Sequence, residues 1–300
     1  MAMNWKSIEE RCAACGGTVA ILLRHYGTGR TLFCRNVDRE MPAASTIKVL
    51  LLATLLEEGI SWEETLAPRE EEKVPYSLVS LLDNPVWSVG DLARLMIFDS
   101  DNTATNLLLN RLGMDRVNRV GRALGLTGTQ FRRKMMDFDA ARRGCENVTT
   151  LADQALLYEE LFAVSRGLPL PDAMSSSGSN AFSGRSSIPW GGREGARKAL
   201  EILLRVRSDS MLLRYFTEEE CLLAHKPGGL SYVRHDAGIF FPGATDVASA
   251  CGNVPGNGST LEDPYFFGVF TTGMPEPEAK ELIGRLSRYV YETRKEWLHA

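Results

Sequence analysis

At 300 residues, 44% hydrophobic and 24% charged, the chain has the make-up of an ordinary globular enzyme with room for one large core or two adjoining ones. A net charge of -4, with no block of five or six basic residues, argues against nucleic acid as the main partner. The most apolar run, Val49 to Leu56, is too short to span a bilayer, so no membrane partner is expected either. The first ten residues, MAMNWKSIEE, lack the apolar core of a signal peptide, and the chain is expected in the cytoplasm.

Residues 4–13 read as a short opening helix. Gly17 to His25 is rich in β-branched residues and runs into the turn signal Tyr26-Gly27-Thr28-Gly29; Arg30 to Asn36 then reads as a second strand, completing an antiparallel hairpin. From Thr46 to Glu58 the residues are good helix formers, closed by Gly59. Val89 to Leu112 reads as one strong helical region ending at Gly113, followed by helices over 115–124 and 151–165. The stretch 174–197 is dense in Ser and Gly and is expected to be a loop or lid. Helical character returns from Lys198 to Arg207. Strands are expected at Leu222–Pro227, Val233–Phe241 and Tyr265–Thr272, and an amphipathic helix at Pro275–Leu298.

Two opening strands are too few for a sheet with its own core, so they are expected to join the last three. The resulting fold is α+β: a five-stranded antiparallel sheet flanked by the N- and C-terminal helices, with an inserted all-helical subdomain. Residues 1–44 and 216–300 would form the discontinuous sheet subdomain, and 45–215 the helical one. Ser45 would then start its helix at the seam, where pockets prefer to form.

Six cysteines are present, at 12, 15, 34, 145, 221 and 251. A chain this large needs no disulfide staples, and Cys12-Ala-Ala-Cys15 has neither a thioredoxin-like context nor a second ligand pair, so no metal or other cofactor is expected.

Chemistry concentrates in three places. A serine hydroxyl is a poor nucleophile until a base takes its proton, and Ser45 and Lys48, three apart on a helix, share one face. Lys48 can be that base only if burial or a neighbouring cation lowers its pKa. Ser45 also sits at a helix N-terminus, whose dipole favours developing negative charge. Alone, S-x-x-K is a weak signal. The second place is Ser100-Asp101-Asn102, a polar patch inside an apolar helical region. The third is His225-Lys226-Pro227-Gly228-Gly229 on an expected strand.

Together these motifs resemble those of the class A β-lactamase-like serine hydrolases, relatives of the penicillin-binding proteins. The likeness runs from about residue 15 to 297, interrupted by the Ser/Gly-rich insertion near 174–197, and includes Val233-Arg-His-Asp-Ala-Gly-Ile239. The resemblance implies that Ser45 attacks an amide or lactam carbonyl of a small-molecule substrate, and that Lys48 takes its proton directly or through a water. Ser100 and Lys226 would relay a proton to the leaving nitrogen. Asn102 would hold Lys48 and the substrate, with Gly228 and Gly229 in the substrate-binding strand. The N–H groups of Ser45 and Gly229 would form the oxyanion hole. Arg234 is the candidate for a substrate carboxylate.

Two departures stand out. Pro227 replaces the family's hydroxyl residue between Lys and Gly. Because alternate N–H groups on a strand point the same way, residue 227 faces the open edge together with Gly229, where proline is tolerated. The resemblance also calls for a deacylating Glu in the loop before Thr149-Thr150. Counting from Arg133, its position falls near Met135 or Met136, and the nearby carboxylates are Asp137, Asp139 and Glu146. The expectation is a serine hydrolase with weak β-lactamase activity; a penicillin-binding-type peptidase or esterase, and an acylated sensor without turnover, stay open. The sequence names neither the natural substrate nor an oligomeric state.

Overall fold

The structure, a computed structural model, describes residues 5–170, 189–217, 219–244, 246–251 and 264–297. Its centre is an antiparallel sheet built from both ends of the chain. In chain order the strands are β1 (Thr18–His25), β2 (Thr31–Arg35), β3 (Cys221–His225), β4 (Gly228–Leu230), β5 (Val233–Pro242) and β6 (Tyr265–Thr272). They lie in the order β2-β1-β6-β5-β3, with β4 also on β5.

The expected fold class holds, with six strands in place of five. The extra strand is a division of the edge. β3 and β4 keep one register against β5, His225 facing Gly238 and Gly228 facing His235. The ladder lapses only at Lys226-Pro227, because proline holds φ near -65°, away from the extended strand value. Lys226 N–H still donates to Ala237 O at 3.3 Å. Its N–H therefore points inward, and alternation turns the backbone nitrogens of 227 and 229 to the open edge.

Alternation along the strands builds two cores. Val19, Ile21, Leu23, Phe240, Phe267 and Val269 face one way, under the helices Trp5–Ala14 and Glu276–Glu292. Ala20, Leu22, Ala237, Ile239, Phe241 and Phe270 face the other, against helices from 48–57, 89–98, 102–112, 151–166 and 192–203. The helix Lys48–Glu57 runs through this second core and is buried along nearly its whole length. That explains why its sequence is apolar all round rather than striped. Among the described residues no helix is long and apolar enough to cross a membrane.

Two expectations need correction. The helical region 89–112 is two helices, Val89–Phe98 and Asn102–Leu112, broken at Asp99-Ser100-Asp101. Ser100 takes a φ of 60° and Asp101 caps the second helix by accepting from Ala104 N–H. The Ser/Gly-rich loop lies partly outside the described residues, at 174–188. Among its described residues, Pro189–Gly191 is a tight turn and Gly192 begins a helix to Leu203, ending before the expected Arg207. Here glycine serves close approach. A Cβ on Gly191 would lie 2.5 Å from Leu56 O, and one on Gly195 would lie 2.1 Å from Trp190 O. The Trp190 side chain is fully buried by this packing.

Candidate active site

Ser45 lies in a single 3-10 turn, Ala44–Ile47, that leads straight into the buried helix at Lys48. Ala43 N–H donates to Asn147 O and Thr46 Oγ1 donates to Ala43 O, which fixes the turn. The Ser45 N–H, in the first turn, has no acceptor inside its own helix. The strand β4 comes hard against this turn: a Cβ on Gly228 would lie 2.9 Å from Ser45 N and 3.0 Å from Thr46 N. Glycine is therefore the residue that lets the sheet edge reach the helix start. The outward N–H of Gly229, next along, opens on the same cavity as Ser45.

Lys48 is fully buried beneath this point. Its Nζ donates to Ser100 O at 2.6 Å, Ser100 Oγ at 3.1 Å and Asn102 Oδ1 at 3.0 Å. Ser45 Oγ is not among these partners. Burial, and then the charge of Lys226, hold the Lys48 pKa well below the ordinary lysine value, against the opposing pull of Asp101 and Asp99. Lys226 is equally buried, donates to Pro227 O at 3.1 Å, and is brought down to about 7, chiefly by burial. A neutral amine keeps a lone pair, which an ammonium lacks, so either lysine can accept a proton here.

Asp101 holds the Ser100 corner in place. Its carboxylate is wholly buried and accepts from Ser77 Oγ at 2.8 Å, Val79 N–H at 3.1 Å and Ala104 N–H at 2.8 Å. Asn102 Nδ2 donates to Pro75 O at 3.2 Å, tying the same corner to the segment carrying Tyr76.

These groups border one cavity of about 940 Å³. Ser45, Ser100, Asn102, Pro227, Gly228, Gly229 and Arg234 line it; Lys48 and Lys226 are buried behind it, bonded to the lining residues Ser100, Asn102 and Pro227. The structure thus places Ser45, Ser100, Asn102, Gly228, Gly229 and Arg234 on one cavity and joins Lys48 to it through Ser100 and Asn102, while Asp137 and Asp139 do not line it. It adds others that carried no motif: Tyr76, Asp99, Phe138, Asp209 and Tyr232. Backbone strain would have been the signal for some of them. Seven non-glycine residues described have positive φ, and five of these (Ala44, Tyr76, Ser100, Met136 and Asp209) line this cavity.

The loop from Arg133 to Glu146 forms one wall. Arg133 Nε donates to Glu146 Oε1 at 2.9 Å, and the Asn147 side chain bonds Arg132 N–H, Arg133 N–H and Arg133 O, closing the neck. Asn106 grips Met135 through both its N–H, at 2.8 Å, and its carbonyl, at 3.1 Å. The three carboxylates of this loop are spent elsewhere. Asp137 caps the short helix Phe138–Arg142, Asp139 pairs with Arg142, and Glu146 pairs with Arg133. Met135 and Met136 line the cavity instead. Arg234 reaches the cavity wall, but its guanidinium donates to Leu230 O and to Val233 O and pairs with Glu276.

A model of the β-lactamase enzyme family matches residues 4–168 and 191–253. Among solved structures, a β-lactamase from Sphaerobacter thermophilus DSM 20745 is 25% identical with a TM-score of 0.72, over 97% of this chain and 98% of that one. PBP-A is 22% identical with a TM-score of 0.73, over 97% and 95%. A β-lactamase from Desulfarculus baarsii DSM 2075 is 20% identical with a TM-score of 0.72, over all of both chains. With the fold and most of the chain matched in this way, the protein belongs to the β-lactamase enzyme family.

Proposed function

We propose that this protein is a serine hydrolase that forms an acyl-enzyme at Ser45 on an amide, ester or lactam carbonyl. One observation carries the reading: a buried lysine with a lowered pKa, hydrogen-bonded to Ser100 and Asn102, lies under a cavity that exposes a helix-start serine. Neutral Lys48 takes the Ser45 proton, directly or through a water, as the hydroxyl attacks. The carbonyl oxygen then gathers charge between the N–H groups of Ser45 and Gly229. Ser100, joined to Lys48, passes a proton to the leaving group, while Asn102 keeps Lys48 in place.

Release of the acyl group is the slow step. In this family a carboxylate base serves the deacylating water, and near its expected position the loop 133–146 has Met135 and Met136, while Asp137, Asp139 and Glu146 are engaged. This favours a second reading, a penicillin-binding-type enzyme or sensor whose adduct persists. A variant of PBP-A has been captured as an acyl-enzyme with penicillin G.

Intact-mass measurement after exposure to a fluorophosphonate and to labelled penicillin tests the proposal. The expected result is one equivalent of phosphonate on wild type and none on Ser45→Ala, with any penicillin adduct forming slowly and persisting. Phosphonate labelling that survives Ser45→Ala, or none in wild type, rules it out; rapid penicillin turnover rules out slow release.

A further inference from the structure

We propose that the substrate carries no free carboxylate on the portion lying along the Lys226–Gly229 strand, and that an amide or amine stands there; this rests on Ser45 being the nucleophile. Three observations lead to it.

First, Pro227 offers that portion neither a hydroxyl nor an N–H. Second, among the described residues each arginine that lines the cavity is already matched. Arg133 pairs with Glu146, Arg142 with Asp139 and Arg234 with Glu276. Glu276 is shared with Lys280 at 2.8 Å, and Lys280 reaches Asp209, also at 2.8 Å. Arg234, Glu276, Lys280 and Asp209 thus form a chain of alternating charge that sums to zero beside the strand end. The one Arg234 nitrogen without a partner, Nε, is buried and out of a substrate's reach. Third, Asp99 lines the same cavity, close enough to act on both buried lysines, and no ion pair is found for it among the described residues.

An incoming carboxylate would therefore meet Glu276 already seated on Arg234, with Asp209 and Asp99 nearby. It would have to displace an intramolecular partner, whose effective concentration is high. A carboxamide or ammonium meets no such competitor, and Asp99 favours it. Penicillins and cephalosporins bring a carboxylate to this position, so the same arrangement makes them poor acylating agents.

Two twin thioesters test the inference: hippuryl-mercaptoacetate, whose leaving thiol carries a carboxylate, and hippuryl-mercaptoacetamide, whose leaving thiol does not. The readouts are loss of thioester absorbance and intact mass at Ser45. Wild type is expected to show kcat/KM about tenfold higher for the carboxamide twin, the size of one charge-assisted contact. In Glu276→Gln, which frees Arg234, the ratio is expected to move about tenfold toward the carboxylate twin. A ratio taken on one protein sample is unaffected by partial misfolding. A wild-type preference for the carboxylate twin, equal rates, or no reaction with either twin overturns the inference. Fluorophosphonate labelling of Ser45 in the same sample then shows that the nucleophile still stands; loss of that labelling means the underlying reading has failed with it.

Discussion

Two lysines buried within reach of each other's charge are costly, and Lys226 shows where the cost lies in pH. Its pKa is about 7 in the folded protein and about 10.4 in an unfolded chain. Between those values the unfolded chain binds the extra proton, so stability from this group rises with pH across that window. Below about 7 the full penalty is present. Lys226→Met is therefore expected to raise Tm by about 5 °C near neutral or acid pH, and by much less as pH nears 10. Its acylation rate should fall about 100-fold, from loss of the proton relay. Thermal melts across pH check the first part, and a Tm gain that grows with pH would contradict it. Met135 poses the opposite question. Asn106 fixes the backbone there whatever the side chain, so Met135→Glu places a carboxylate on the cavity wall without new backbone demands. Deacylation is expected to speed up by about 100-fold, read as decay of the adduct by intact mass.

Among the elements, the meeting of strand β4 and the Ser45 turn decides whether there is a site at all. Gly228 leaves no room for a methyl group above Ser45 N and Thr46 N. Gly228→Ala should push the edge strand away from the turn and separate the N–H groups of Ser45 and Gly229, the proposed oxyanion hole. The expected loss is about 100-fold or more in acylation, the scale of removing one such donor. The cost in stability should be small, because the strand end is a sheet edge. Unimpaired acylation would show that Gly229 N–H is not used. The break at Asp99-Ser100-Asp101 was half visible in the sequence. The polar patch stood out, but the good helix formers on both sides favoured one continuous helix, and the buried contacts of Asp101 with Ser77 and Val79 hold the corner. The Asn106 and Asn147 clamps gave no sign in advance, since a buried asparagine pairing with a distant peptide group looks in sequence like any polar helix or loop residue.

For the molecule as a whole, stability depends on covering both faces of one sheet. The outer face, with Ile21, Leu23, Phe240 and Phe267, is roofed by Ile283, Leu286, Val290 and Trp297 from the chain's end. Ending the chain before residue 276 would expose that face, and no folded protein is expected. Circular dichroism and solubility check this; a cooperative melt of the shortened chain would show that the helical side folds alone. The same terminal helix carries Glu276 and Lys280, so the element that completes the fold also sets the charge at the cavity rim.

Strand alternation, helix-forming runs and the three motifs are local patterns, so the antiparallel sheet, its covering helices and the residues around Ser45 could be read from the chain. What depends on side chains distant in sequence could not. The packing of Gly191 against Leu56 and the capture of Arg234 by Glu276 arise from contacts between segments that meet only in the folded chain. The lysines follow the same division. Their spacing was legible, but the shift in their pKa values comes from burial, a property of the folded interior alone.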